Sequence, residues 1–157
     1  SMTKYECTLQ GATDRGLQVI ENLDFDSESA GLIYGNTIGL HRRLWAYREK
    51  ACVLAEEIAH HDVNVGNITD QNDTNNRWQE HKARTLAYDR LIGLCGLIQC
   101  FKAGDRNLYE MAERLEVSEA FLHDALYSYK LRYGEGIQVD NFWVSFEPYF
   151  DIAEMID

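Results

Sequence analysis

The stretch A-C-V-L-A-E-E-I-A-H-H, residues 51–61, most constrains how this chain folds. It opens with an apolar run and contains no glycine or proline, so it predicts the second half of a helix that extends from about residue 44 to residue 61. Residues four apart on a helix differ in direction by about 40°, so Glu56 and His60 share one face. Glu57 points about 100° away from Glu56, at the edge of that face.

This motif has the spacing of a known metal-binding pattern and differs from it at one residue. In H-E-x-x-H, two histidines one turn apart bind zinc, and the glutamate beside the first is a general base. Here Glu56 stands where the first histidine would be, and it is followed by Glu57 and His60. The helix therefore retains the base and one nitrogen ligand, and it offers an oxygen ligand in place of the other nitrogen.

A third ligand is available on the next predicted helix. Residues 62–75 are rich in Asn, Asp, Thr and Gly and predict a loop, after which a long helix is predicted over about residues 76–102. Antiparallel packing of the two helices would return Glu80 towards His60. The alternative is a solvated helix face, since charged residues near a helix end are usually exposed. The apolar run before Glu56 favours the metal site.

The glutamate at position 56 would alter the chemistry of such a site. Two carboxylates and one neutral histidine cancel the charge of a divalent ion, so a water there is acidified less than with two histidines and one glutamate. More oxygen ligands also weaken the preference for zinc and admit manganese or iron. His61 restores a nitrogen ligand only if the helix unwinds at its end, because it otherwise points about 100° away from His60.

The remaining sequence predicts an α+β domain that is dominated by helices. Two β-hairpins are indicated by short apolar runs on either side of Gly35-Asn36 and of Asp140-Asn141. The predicted segments are a helix over residues 3–13, an extended piece over 17–20, a loop over 24–30, and hairpins over 32–40 and 137–146.

Residues 107–133 predict a pair of helices that resembles a helix-turn-helix. Apolar residues occur at helical spacing on both sides of a break, where Ser118 is placed to cap the second helix. A helix that reads DNA carries Arg, Lys, Asn or Gln towards the bases. This one offers Glu119, His123 and Asp124, so packing or contact with another protein is favoured over DNA binding.

The composition sets limits on partners and location. The chain has 157 residues, 45% of them hydrophobic and 26% charged, which is typical of one globular domain over residues 1–157. Its net charge of −11 argues against nucleic acid or an anionic membrane as a direct partner. Neither an apolar run of about 18 residues nor a signal-peptide pattern is present. Four cysteines without C-x-x-C spacing, three of them in apolar stretches, indicate reduced thiols in a cytoplasm.

Four segments in order resemble a known family. They are G-L-I-Y-G-N-T-I-G-L, C-V-L-A-E-E-I-A-H-H-D, E-H-K-A-R-T-L-A-Y-D-R-L-I and N-L-Y-E-M-A-E-R-L-E-V-S-E-A-F-L, within residues 31–133. This part of the chain resembles the ImmA/IrrE family of metallopeptidase-like proteins of phages and mobile elements, in its branch with E-E-x-x-H-H. The resemblance implies a zincin-like core whose third ligand comes from an E-x-x-A-x-x-x-A helix.

By position, the resemblance makes Glu57 the general base and His60 and Glu80 metal ligands, with zinc as the expected metal. Glu56 departs from the family's usual histidine and is the third predicted ligand. It also implies a regulatory substrate, namely a helix-turn-helix repressor encoded nearby on a prophage or mobile element in a bacterial cytoplasm. The alternative is a peptidase-shaped protein that binds a repressor or a host protein without cleaving it. The oligomeric state is left open.

Overall fold

The computed structural model describes residues 1–66 and 73–156, and for residues 66 and 73–76 it describes the backbone alone. The architecture is α+β and mainly helical, as predicted. The contacts divide the chain into two compact units, Ser1–Arg90 and Leu91–Asp157. The assignment of the whole chain to a single domain stays a prediction.

The first unit contains a three-stranded sheet and long helices. In chain order its elements are α1 Lys4–Asp14, β1 Gln18–Leu23, β2 Gly31–Tyr34, β3 Thr37–His41, α2 Tyr47–Gly66 and α3 Asp73–Leu91. Strand β3 is central, with β1 parallel on one side and β2 antiparallel on the other. The predictions of α1, of an extended segment at β1 and of the hairpin β2–β3 are confirmed. The hairpin turns at Gly35, whose φ of +60° suits a residue without a Cβ.

The core of this unit lies between α2 and the sheet. Both α2 and α3 place alanines on their inner faces, which lets a helix backbone approach its neighbours closely. The side chains of Ala51, Ala55, Ala59, Ala83 and Ala87 are at most 1% exposed, and so are those of Ile38, Leu40, Leu54 and Ile58.

The boundaries of α2 and α3 correct the predicted loop over residues 62–75. Helix α2 continues to Gly66 and α3 already begins at Asp73, while residues 67–72 lie outside the described residues. The extra turn of α2 buries Val63 and pairs Asp62 with Arg15, the residue that caps the end of α1. Such tertiary contacts stabilise a helix beyond the limit that polar composition alone indicates.

The predicted long helix over residues 76–102 is two helices. Helix α3 ends at Leu91, and α4 spans Gly93–Lys102. Gly93 has a φ of +64°, a conformation that glycine adopts at little cost and that interrupts the helix. Its N–H donates to the hydroxyl of Tyr129 at 3.2 Å, which fixes the break in place.

The second unit packs helices against an antiparallel meander. After α4 come α5 Leu108–Leu115, α6 Glu119–Tyr133, β4 Gly136–Val139, β5 Phe142–Ser145 and β6 Asp151–Glu154, with strand order β4-β5-β6. The predicted hairpin is confirmed as β4–β5. Strand β6 was not predicted, because its sequence D-I-A-E offers one large apolar residue, Ile152, and no alternating pattern.

Helices α5 and α6 form the pair predicted over residues 107–133. Glu116 takes a left-handed conformation after α5, with a φ of 56°. The Ser118 hydroxyl accepts from the Phe121 N–H at 3.1 Å and caps α6, as predicted. At the start of α6, the His123 and Asp124 side chains are 73% and 66% exposed.

Two further expectations concern cysteines and membranes. None of the four cysteines, all of which the structure describes, forms a disulfide: Cys52 and Cys100 are buried, whereas Cys7 and Cys95 are exposed. The expectation that the cysteines in apolar helical stretches are buried is therefore confirmed for Cys52 and Cys100 and wrong for Cys95. In the ranges that the structure describes, no helix is both long enough and apolar enough to span a bilayer.

Candidate active site

Glu57 is a buried carboxylate that lies against the first residue of β2. Its side chain is on α2 and the residue is only 7% exposed. A Cβ added to Gly31 would lie 2.9 Å from Cγ and 3.0 Å from Oε1 of Glu57. A glycine at this position therefore leaves the space that the Glu57 side chain occupies.

Burial and neighbouring charge make Glu57 a strong proton acceptor. Burial is the largest cause that raises its pKa from 4.5 to about 7, and the negative charges of Glu56 and Glu80 raise the pKa further. Carboxylates are seldom fully buried unless they are paired, so the burial of Glu57 is unusual for its residue type. A buried carboxylate that titrates near neutral pH is typical of a general base.

The structure brings His60 of α2 and Glu80 of α3 into contact. The distance between His60 Nε2 and Glu80 Oε1 is 3.4 Å. Two ligands of a tetrahedral zinc, each about 2.0–2.2 Å from the ion, lie about 3.4 Å apart. The imidazole and the carboxylate therefore fit a shared divalent ion, and both side chains are partly exposed, at 25% and 49%.

The other two predicted ligands are less well placed. Glu56 is close enough to raise the pKa of Glu57. Among the described residues, however, no three His, Cys, Asp or Glu side chains are grouped so that they could hold an ion. The role of Glu56 as a ligand stays a prediction. Since α2 continues to Gly66, His61 keeps its helical direction, about 100° away from His60.

Asp62 ties α2 to both neighbouring helices. Its two carboxylate oxygens accept hydrogen bonds from Nε and Nη2 of Arg15, at 2.7 and 2.8 Å. Arg90 of α3 approaches the same carboxylate at 3.6 Å. Asp62 lies two residues after His60, and its contact with Arg90 holds α3, which carries Glu80, against α2. The sequence analysis placed Asp62 in a loop and missed it, although an acidic residue directly after two histidines was a signal.

Strand β2 lies at the edge of its sheet beside Glu57, and among the described residues it pairs only with β3. The His41 N–H donates to the Ala30 carbonyl at 2.8 Å. Because hydrogen bonding alternates along an antiparallel pair, Gly31 and Ile33 turn their backbone groups away from β3. The Ser29 hydroxyl accepts from the Gly31 N–H at 3.3 Å and donates to the Gly31 carbonyl at 3.0 Å. In the part of the chain that the structure describes, no backbone hydrogen bond outside the sheet engages Ile33, so its outward groups could pair with an extended peptide.

Comparison with known families places these residues in context. The family described as the IrrE N-terminal-like domain, peptidase family M78, matches residues 12–127. The chain belongs to this ImmA/IrrE family. Its members are metallopeptidases, so the family implies a metal and a zincin-like core around α2 and α3. Neither curated proteins nor solved structures give a match to the chain.

The M78 match defines which parts of the chain are common to the family. It includes the whole of β1, β2, β3, α2 and α3, and with them Glu56, Glu57, His60 and Glu80. It ends within α6, so the β4-β5-β6 sheet lies beyond it. The candidate site therefore falls entirely within the family domain.

Buried Glu57 is expected to make the metal-free M78 domain less stable at alkaline pH. Its pKa is about 7 in the folded state and 4.5 when unfolded. The folded state therefore binds more protons between these values, and stability falls as the pH rises from 4.5 through 7. Glu57→Gln removes this effect. In a chelator, it should raise the free energy of unfolding at pH 8 by about 1–3 kcal/mol and have little effect near pH 4.5.

Urea unfolding at the two pH values measures this difference. Glu49→Gln, a change at an exposed position in the first turn of the same helix, is the control and should not raise the stability at pH 8, because its charge there interacts favourably with the helix dipole. A Glu57→Gln variant that is less stable than the wild type at pH 8 would contradict the buried, charged environment.

Gly31→Ala is expected to destabilise the domain through a steric clash. The new Cβ would lie 2.6 Å from Val53 Cγ1 as well as against Glu57. Overpacking of this kind costs about 1–3 kcal/mol. Because the Val53 methyl is the closest atom, Val53→Ala should recover part of the loss in the double variant. Strictly additive effects in a double-mutant cycle of chemical denaturation would show that the two sites do not touch.

Proposed function

We propose that this protein is a metal-dependent endopeptidase that regulates gene expression by cleaving a helix-turn-helix repressor. Both proteins would be encoded on a prophage or mobile element and would act in the bacterial cytoplasm. The observation that carries the proposal is the position of Glu57, buried beside the β2 edge and next to the His60–Glu80 contact. Membership of a metallopeptidase family supports it.

The ligand set would consist of His60, Glu80 and Glu56. When bound, a divalent metal polarises the peptide carbonyl and increases the acidity of a water molecule. Zinc suits the histidine, and the two carboxylates also admit manganese or iron. The contact of 3.4 Å between His60 and Glu80 supports the first two members of the set.

Glu57 would accept and return the proton in this reaction. As general base, its carboxylate takes a proton from the attacking water and then delivers it to the nitrogen of the leaving amine. Between these two transfers Glu57 is protonated. Burial stabilises this neutral form relative to the charged carboxylate. The presence of Gly31 lets this carboxylate reach the edge of the sheet, where the peptide would lie.

The edge of β2 would hold the substrate in an extended conformation. An added strand bonds to outward N–H and C=O groups, here those of Ile33 and Gly31. The Ser29 hydroxyl now bonds both groups of Gly31, so a substrate would displace it there. These backbone hydrogen bonds would place a peptide bond beside Glu57 whatever side chains the substrate carries.

Charge supports a DNA-binding protein as the substrate. The chain carries a net charge of −11. Repressors bear basic surfaces that bind phosphates. An acidic enzyme attracts such a partner over long range and increases its rate of encounter.

The proposal is tested with the repressor encoded next to this gene. The purified proteins are incubated with zinc, with manganese or with chelator, and the products are identified by intact-mass spectrometry. We expect two fragments whose masses together equal that of the repressor plus one water, in the presence of metal only. An intact repressor that forms a stable complex in all three conditions would contradict the peptidase proposal.

The second candidate function is stoichiometric binding without cleavage, which the glutamate at position 56 favours because the typical site has histidine there. A repressor-controlled reporter separates the two functions. If cleavage is the mechanism, Glu57→Gln abolishes derepression even though the partner still binds. Derepression that survives the change supports the binding protein.

A further inference from the structure

We infer that α3 carries a carboxylate-binding subsite next to Glu80, formed by Arg77 and Arg84. The inference rests on the proposed peptidase function, because the subsite would select among peptide substrates. It favours a substrate with an aspartate or glutamate side chain close to the scissile bond. The same chemistry would bind a terminal carboxylate, and the experiment below distinguishes the two.

The first support is a cavity on the exposed face of α3. It is a shallow depression that is widely open to solvent, has a volume of about 460 Å³ and, among the described residues, is lined by Arg77, Glu80, His81 and Arg84. Positions 77 and 84 are seven residues apart, so they lie two turns apart on nearly the same face, with Glu80 between them. The two guanidinium groups therefore flank one carboxylate of the proposed metal site.

The second support is the contact network of Glu80. Its Oε1 atom lies 3.4 Å from His60 Nε2 and 3.8 Å from Nη2 of Arg84. Arg84 thus reaches the atom that the proposed metal would also use. A peptide bound at the proposed metal would therefore place a neighbouring side chain towards Arg84.

The third support is that, among the described side chains, both arginines keep hydrogen-bond donors that no carboxylate occupies at close range. The Arg84 side chain is 58% exposed, and its contact with Glu80 is too long for a strong hydrogen bond. Among the described residues, no carboxylate pairs with Arg77. Lys82, by contrast, lies over the ring of Trp78 at 4.8 Å.

The chemistry of guanidinium identifies the ligand. Its planar fork matches a carboxylate and can bind it through two parallel hydrogen bonds. In a chain with a net charge of −11, acidic peptides are repelled over most of the surface. A local pair of arginines beside the site would therefore decide where an acidic side chain is accepted.

The experiment measures binding without cleavage. Full-length Glu57→Gln protein is titrated into fluorescein-labelled, C-terminally amidated octapeptide mixtures that are randomised except for one central Glu. A matched mixture carries Gln at that position. We expect the Glu mixture to bind about 5- to 10-fold more tightly by fluorescence anisotropy, since a charge-assisted hydrogen bond to an exposed arginine contributes roughly this much.

Two variants and one control assign the preference to the arginines. Arg84→Met and Arg77→Met should each reduce it several-fold, and Arg42→Met, at an exposed arginine that pairs with Asp24, should leave it unchanged. Thermal melts confirm that each variant is folded. A preference that is absent in the parent protein, or unaltered in Arg84→Met, would overturn the inference.

Two further arms distinguish other sources of binding. The first arm uses a Gln mixture with a free C-terminal carboxylate. If it binds as tightly as the Glu mixture, the arginines bind the carboxylate of a chain end. A Glu preference that disappears in chelator would assign carboxylate binding to the metal and overturn the arginine subsite. Because no step requires cleavage, the inference can survive even if the wild-type protein proves inactive.

Discussion

Replacement of Glu57 by glutamine is expected to lower kcat/KM for peptide hydrolysis by about 100- to 10,000-fold, which is the usual contribution of a general base. The amide has the shape of the carboxylate and leaves Gly31 uncrowded, but it cannot accept a proton. Most of the loss should appear in kcat, because the β2 edge that would bind the peptide is unaltered. Initial rates on the repressor, or on a peptide that spans its cleavage site, measure the effect.

Two comparisons make this result specific. Metal content should equal that of the wild-type protein, since Glu57 is not a proposed ligand. Glu49→Gln, on the same helix but exposed, should retain full activity. A Glu57→Gln variant with wild-type kcat/KM would remove Glu57 from the mechanism, whatever the metal content.

The sequence was sufficient to predict that Glu80 lies close to His60, whereas the role of Glu56 stays a prediction. Helical spacing fixed the common direction of Glu56 and His60, and the prediction that the next helix returns Glu80 to His60 agrees with their contact of 3.4 Å. The hairpin that provides β2 was also predictable, because Gly35-Asn36 lies between two short apolar runs. These features depend on local periodicity and turn chemistry, which a single sequence displays.

The features that were missed depend on contacts between distant residues. Asp62 was assigned to a loop by composition, but its bond to Arg15 connects positions far apart in the chain and keeps α2 helical. The space that Gly31 leaves for Glu57 likewise arises only when α2 packs against β2. The break at Gly93 was hidden in an apolar run, where a glycine in a left-handed conformation cannot be told from one within a helix.

Among the three proposed metal ligands, Glu80 is the one whose replacement is most informative, because it comes from a different helix. Removal of a residue that merely supports a ligand typically costs about 10- to 100-fold in metal affinity, so removal of a ligand should cost more. Glu80→Ala also removes the partner of His60 across the two helices. His81→Ala, at the next position on α3 and exposed, is the matched control.

Metal analysis by mass spectrometry of protein purified without chelator tests the proposed ligand set most directly. We expect about one divalent ion per chain in the wild-type protein and in His81→Ala, and almost none in Glu80→Ala. Wild-type protein without metal, or Glu80→Ala with a full complement of metal, would show that these residues do not form a metal site.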